Sequence, residues 1–162
     1  MMRVERTVAR AIPDDVAPAV RVWQAANSAR GLQPTSERVT RVQVKLQAAD
    51  ALFVVARSDG TVVAMALAEP GRALDGAGAT VPGYGHVSMV SVAPDRWGCG
   101  VGSALLAGLH EHAQRRDCAA LTLWTREGNT RARRLYERSG YRRNGRRRSL
   151  PSGEPIIQLE RP

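Results

Sequence analysis

Ten residues, Pro94-Asp95-Arg96-Trp97-Gly98-Cys99-Gly100-Val101-Gly102-Ser103, carry the densest chemistry in the chain. Glycines at alternate positions free the backbone to turn several N–H groups into one space. The helix that follows, with Val101, Leu105 and Leu109 on one face, adds the partial positive charge of its N-terminus. Such a turn suits a phosphate. Glycine also serves tight packing, but three at the head of an amphipathic helix favour an anion. The spacing fits neither the Gly-x-Gly-x-x-Gly of a dinucleotide fold nor a P-loop, which needs Gly-Lys-Ser/Thr after four intervening residues.

Other reactive side chains are sparse. Cys99 and Cys118 are too few for a disulfide framework, and no Cys/His cluster has zinc-ligand spacing, so reduced thiols and no metal are expected. Cys99 has no assignable His or Asp partner and reads as a small residue filling space.

The elements that must hold the turn follow from periodicity. Val8–Ile12 reads as a strand, Pro13-Asp14-Asp15 as a cap, and Asp15–Arg30 as a helix with Val16, Ala19, Val20 and Trp23 on one stripe. A second helix starts at Ser36 with Glu37, runs through Val42, Val44 and Leu46, and ends near Ala49. Ala51–Arg57 and Thr61–Ala68 form a hairpin about Ser58-Asp59-Gly60. Glu69–Gly83, rich in Gly, Ala and Pro, reads as a loop long enough to be a lid or substrate gate. Gly85–Val92 is a strand, Gly100–Arg116 a helix, Ala120–Trp124 a strand and Asn129–Ser139 a helix. Tyr141–Leu150 and Glu154–Leu159 pair around Pro151-Ser152-Gly153. The order β-α-α-β-β-β-α-β-α-β-β mixes hairpins with a parallel crossover. The fold class is therefore α/β with a mixed sheet (α+β), six to seven strands flanked by about four helices.

With 162 residues, 43% of them apolar, the chain is expected to be a single domain over residues 1–162. Residues 1–10 lack the apolar core of a secretory signal, and no run of about 18 apolar residues spans a membrane, so a cytoplasmic location and no membrane partner are expected. The net charge of +9 is carried by arginine in all but one of its basic residues, Lys45. Arginine spread along the whole chain fits a high-GC coding bias. Only Arg142, Arg143, Arg146, Arg147 and Arg148 form a dense run, which reads as a solvated edge or, less favoured, as a grip on nucleic acid such as tRNA.

Trp97-Gly98-Cys99-Gly100-Val101-Gly102 resembles the Gln/Arg-x-x-Gly-x-Gly/Ala pyrophosphate loop of the GCN5-related N-acetyltransferase (GNAT) family, with Trp97 departing at the first position. Met89-Val90-Ser91-Val92-Ala93-Pro94 resembles that family's fourth strand, and Asn129 to Tyr141 its Asn-x-x-Ala-x-x-x-Tyr-x-x-x-Gly-Phe/Tyr segment. Ala9–Asp15 is similar to its entry strand and turn. The resemblance implies a GNAT-like acyl-CoA N-acyltransferase fold with acetyl-CoA as acyl donor. It implies cofactor contacts from Val90, Ser91, Val92, Trp97, Gly98, Cys99, Gly100, Val101, Gly102, Ser103, Asn129 and Ala132, and Tyr136 as proton donor to the departing thiolate.

Periodicity alone also allows Tyr136 a place in the buried stripe with Ala132, Leu135 and Ser139. Acyl transfer to an amine further needs an oxyanion donor, expected from a backbone N–H near Val92, and a proton acceptor. His86 and then Glu69 are the candidates. If alternation holds, His86 shares a face with Ser88 and points at the acceptor. The expected acceptor is a small-molecule amine. The alternatives are a protein or peptide amine, an aminoacyl-tRNA-dependent transferase, and a non-catalytic CoA-binding module. A homodimer is plausible if the terminal strands complete a partner's sheet or Trp23 sits at a helical interface.

Overall fold

The computed structural model describes residues 5–162, so the first four residues of the polar opening segment lie outside it. Seven strands and four helices alternate in the expected order. They are β1 (Arg6–Arg10), α1 (Val16–Ala29), α2 (Ser36–Leu46), β2 (Leu52–Ser58), β3 (Thr61–Arg72), β4 (Thr80–Val92), α3 (Val101–Arg115), β5 (Ala120–Arg126), α4 (Thr130–Arg138), β6 (Arg142–Ser149) and β7 (Pro155–Arg161). They build one mixed sheet in the order β1-β2-β3-β4-β5-β7-β6, parallel only between β4 and β5.

The continuous apolar runs of β2 and β3 are explained by helices on both faces. Phe53, Val55, Met65 and Leu67 face α1 and α2, meeting Ala19, Val20, Trp23, Val42 and Leu46. Val54, Ala56, Ala64 and Ala66 face Val101, Leu105, Leu106 and Leu109 of α3. The alanines let α3 lie close to the sheet, and a Cβ added at Gly108 would run into Val8 of β1.

The segment 69–83 is not a lid. Glu69–Arg72 and Thr80–Gly83 extend β3 and β4, leaving a short connection over residues 73–79 tightened by the Ala73 N–H bond to Ala79 O at 2.9 Å. Backbone pairing across the hairpin overrides the weak strand propensity of Gly, Ala and Pro. Alternation along β4 fails as well. Val87 pairs with Ala68 and Met89 with Leu67, so Ser88 is the extra residue of a bulge. Before it, His86 points to the α1/α2 face. After it the phase has slipped by one, and Met89 points to that face instead.

Smaller differences concern α2 and Trp23. α2 starts at Ser36 as expected, capped by Thr35, whose Oγ1 accepts from the Arg38 N–H at 3.2 Å, but it ends at Leu46, and Val44 is exposed while Val42 and Leu46 are buried. Trp23 is 6% exposed in the chain's own core, with Arg38 stacked over its ring, and does not face outward. The terminal strands lie in the chain's own sheet, β7 between β5 and β6, with β6 at its edge. Among the described residues no helix is long and apolar enough to cross a membrane.

Candidate active site

The cleft arises where the parallel pair stops. β4 and β5 pair only from Tyr84↔Ala120 to Val87↔Leu123, after which β5 keeps its pairing with β7 while β4 keeps its pairing with β3. The strands therefore splay, and β4 loses its partner from Ser88 to Val92. The Ala93 N–H bond to Val63 O at 2.8 Å fixes the phase of the β3–β4 ladder. In that phase Val90 and Val92 turn their N–H and C=O groups away from β3 and into the wedge. Ser91 is turned the other way, and its side chain is 5% exposed.

Trp97 closes the rim. Its indole Nε1 donates to the Val92 carbonyl at 2.9 Å, and the Arg131 guanidinium lies 3.6 Å from the centre of its ring. Gly98 and Gly100 adopt φ of 77° and 78°, which side chains rarely tolerate. Gly102 has a different reason: a Cβ there would stand 2.9 Å from Leu135 Cδ2, so it is the contact point between α3 and α4. The first helical acceptor serves Ala104, whose N–H reaches Gly100 O at 3.2 Å. The N–H groups of Val101, Gly102 and Ser103 precede that ladder and point out of the helix end.

These residues line a cavity of ≈ 580 Å³ together with Ser88, Val90, Ser91, Val92, Asn129, Ala132 and Tyr136. Cys99, expected among them, is not on its wall. It is exposed rather than filling space, its amide is used within the turn, and its carbonyl accepts from Arg6 of β1 at 3.0 Å. Asn129 caps α4, its Oδ1 accepting the Ala132 N–H at 3.2 Å. Among the described residues two side-chain polar atoms are sealed from solvent without a partner, Arg133 Nε and Ser88 Oγ. The serine lies on the cavity wall. An acyl-CoA fits this lining: the helix-end amides for phosphate, the free strand edge for an amide-bearing arm, and an orphaned hydroxyl beside it.

Tyr136 sits where the core meets the cavity. Its ring packs edge-on against Tyr141, centroids 5.9 Å apart, on the side of the core, while the residue also lines the cavity. Burial pushes its phenol up to about 12, with the nearby charge of Arg30 pulling the other way. It therefore holds its proton at neutral pH.

His86 and Glu69 do not line the cavity of Tyr136. They stand opposite each other in the β3–β4 register and line a second cavity of ≈ 890 Å³ on the α1/α2 face. His86 Nδ1 lies 3.0 Å from Thr122 Oγ1, and Glu69 is paired with Lys45 at 3.5 Å. Burial holds His86 below the ordinary histidine value, partly opposed by the Glu69 charge. Trp124 of β5 belongs to the walls of both cavities, so they meet at the wedge. The arginine run divides about β6. Arg143 and Arg147 approach Glu127 at 3.7 and 2.7 Å, whereas Arg146 and Arg148 lie over the Trp124 ring.

Sequence reasoning missed Trp124, Arg126 and Arg30. The alternation Thr122, Trp124, Arg126 along β5 was the available signal. Arg30 carried none, because only the packing of α1 brings it to the cleft. Among the described residues no three His, Cys, Asp or Glu side chains converge.

A splayed parallel pair with a glycine turn at its rim and a protonated phenol in its wall defines an acyl-CoA-dependent acetyltransferase. Residues 19–141 match the family model described as Acetyltransferase (GNAT) family, and the chain belongs to that family. No curated protein matches the chain. Among solved structures, the ribosomal-protein-S18-alanine N-acetyltransferase from Escherichia coli is similar with a TM-score of 0.78 at 24% identity, over 98% of this chain and 94% of that one. A GCN5-related N-acetyltransferase from Kribbella flavida gives 0.76 at 23% identity, over 97% of each chain. The PaiA N-acetyltransferase from Thermoplasma acidophilum in complex with coenzyme A gives 0.65 at 12% identity, over 95% of this chain and 98% of that one. The fold is one that holds coenzyme A.

Proposed function

We propose that the chain transfers an acetyl group from acetyl-CoA to the primary amine of a small molecule, by direct attack while both substrates are bound, and that residues 1–162 act as one domain. The observation that carries this reading is the meeting of two cavities at Trp124. One has the glycine turn at its mouth and Tyr136 in its wall, and the other has His86 and Glu69. A sheet running unbroken from Arg6 to Arg161 supports the single domain.

When bound, acetyl-CoA brings the thioester whose carbonyl carbon the amine attacks, a C–N bond forming as the C–S bond breaks. Gly98, Gly100 and the amides of Val101, Gly102 and Ser103 hold its phosphates, and Val90, Val92, Asn129 and Ala132 its arm, Ser91 being turned to β3. The Val92 N–H faces the developing oxyanion. Neutral His86, oriented by Thr122 and biased by Glu69, takes the amine's proton directly or through water. Tyr136 donates a hydrogen bond, and at the end its proton, to the departing sulfur.

The test is calorimetric titration with acetyl-CoA followed by an amine panel scored for free thiol. Micromolar binding abolished by Gly100→Glu, with turnover of a small amine, is the expected outcome. Binding without turnover of any amine would mean a non-catalytic module. No binding would sink the acyl-CoA reading and return attention to aminoacyl-tRNA and the β6 arginines. The panel includes peptides because a second reading, a protein or peptide amine, is favoured by the size of the acceptor cavity.

A further inference from the structure

Among the described residues the cavity of Tyr136 is lined by six arginines, Arg30, Arg38, Arg96, Arg126, Arg131 and Arg138, and by no Asp, Glu, Lys or His. Arg96 stands in the turn before the glycines, and Arg131 and Arg138 belong to the α4 segment. These three stand in the turn or on the helix that the proposed mechanism gives to the donor, and are left to it. The other three come from α1 with its C-cap, α2 and β5 rather than from the glycine turn or α4.

Their surroundings are poor in negative charge. The Arg30 guanidinium donates to the neutral Asn27 Oδ1 at 3.4 Å, and the charges it meets are those of Arg126 and Arg131, so its own pKa is lowered by burial and by like charge. Arg38 lies over the Trp23 ring. Arg126 has one acid, Glu154, at 3.6 Å, and both side chains of that pair are 41% exposed, so water screens it. Arginines collected without matching carboxylates repel one another, and an arriving anion relieves that repulsion. Beyond Trp124 the same face changes character: Asp50, Glu69 and Glu160 there offset Arg72, Arg146 and Arg148, and His86 and Thr122 line it too, a setting that tolerates an amine and its proton.

We propose that the acceptor carries an anionic oxygen group, a carboxylate or a phosphate, beside its amine, and that Arg30 and Arg126 grip that group on the α1 side of the cleft. The proposal rests on the acetyl-transfer reading above and names the substrate class for it. Planar guanidinium forks match either oxyanion bidentately. The same lining rejects polycations such as polyamines by like charge.

The test uses the full chain saturated with CoA and titrates it calorimetrically with matched acetylated products, so that turnover is not required. The pairs are N-acetylglycine with its amide, N-acetylphenylalanine with its amide, and N-acetyl-O-phosphoethanolamine with N-acetylethanolamine. The anionic member of at least one pair is expected to bind about tenfold or more tightly than its neutral partner. Which pair responds separates carboxylate from phosphate. Arg30→Gln and Arg126→Gln should each erase the difference, Arg30→Lys should keep part of it, and acetyl-CoA affinity and thermal melting should be unchanged in all three. Equal or weaker binding of the anion in every pair, or no binding of any anionic product, overturns the proposal. Variants that weaken acetyl-CoA instead overturn it too, because the arginines would then belong to the donor. Failure of the unaltered chain to bind acetyl-CoA would overturn the acetyl-transfer reading and this proposal with it, so the two failures are told apart.

Discussion

The indole of Trp97 and the carbonyl of Val92, 2.9 Å apart, join the glycine turn to the end of the strand that opens the cleft. The residue that departs from the family's loop pattern is thus the one that ties the loop to the strand. It satisfies a strand-edge carbonyl that the splay of β4 and β5 leaves without a partner. Trp97→Phe keeps a ring under Arg131 but loses the donor. It should cost about 1 kcal/mol in denaturant unfolding and weaken acetyl-CoA measurably by calorimetry. Unchanged stability would mean that water replaces the indole at no cost.

Removing the Tyr136 hydroxyl should separate chemistry from binding. Tyr136→Phe keeps the packing against Tyr141, so acetyl-CoA affinity and melting temperature should hold while kcat falls by about a hundredfold. Steady-state thiol release and titration measure the two quantities. A kcat within a few-fold of the unaltered chain would return Tyr136 to the core.

The glycines should respond differently. Gly100→Ala forces a side chain into a left-handed φ at the phosphate cradle and should weaken acetyl-CoA at a stability cost of about 1 kcal/mol. Gly102→Ala pushes on Leu135 and should loosen α3 against α4 by a similar amount, a loss that Leu135→Val in the same chain should recover. Chemical denaturation of the single and double variants decides it.

His110 gives stability a pH dependence of its own. It is 7% exposed, its Nε2 lies 2.8 Å from the Tyr141 hydroxyl, and burial lowers its pKa to about 4. The unfolded chain takes up that proton near pH 6.5 and the folded chain only near pH 4. The contribution is therefore complete above about pH 6.5 and is lost progressively as pH falls to about 4, by about 3 kcal/mol in all. Urea melts across that range should show the loss, and His110→Gln should flatten it.

In the proposed mechanism His86 takes the proton in its neutral form, and burial moves its titration below the ordinary histidine value. The acid limb of kcat/KM should therefore have its midpoint below about pH 6.5. His86→Ala should remove that limb with a loss of about a hundredfold. A limb that persists in the variant would assign the proton acceptor elsewhere, with Glu69 the first to test by Glu69→Gln.

Local pattern carried most of the architecture. Periods of 3.6 and 2 fix the element order, because a helix or strand must bury one face wherever it lies. The apolar runs 51–57 and 61–68 announced a hairpin, and the helices on both of its faces appeared only in the structure. The glycine spacing in 98–102 and the Asn129, Ala132, Tyr136 segment were legible for the same reason: backbone conformation and helix-face spacing are local properties. What the sequence could not contain were relations between distant segments. Strand propensity did not show that Glu69–Gly83 would pair with itself, nor that the bulge at Ser88 would turn Met89 to the face of His86. Nothing in the chain near Arg30 says that the end of α1 overhangs a cleft between β4 and β5. The splay of those strands is decided by which neighbours each keeps, β3 for one and β7 for the other, and only the assembled sheet makes that choice.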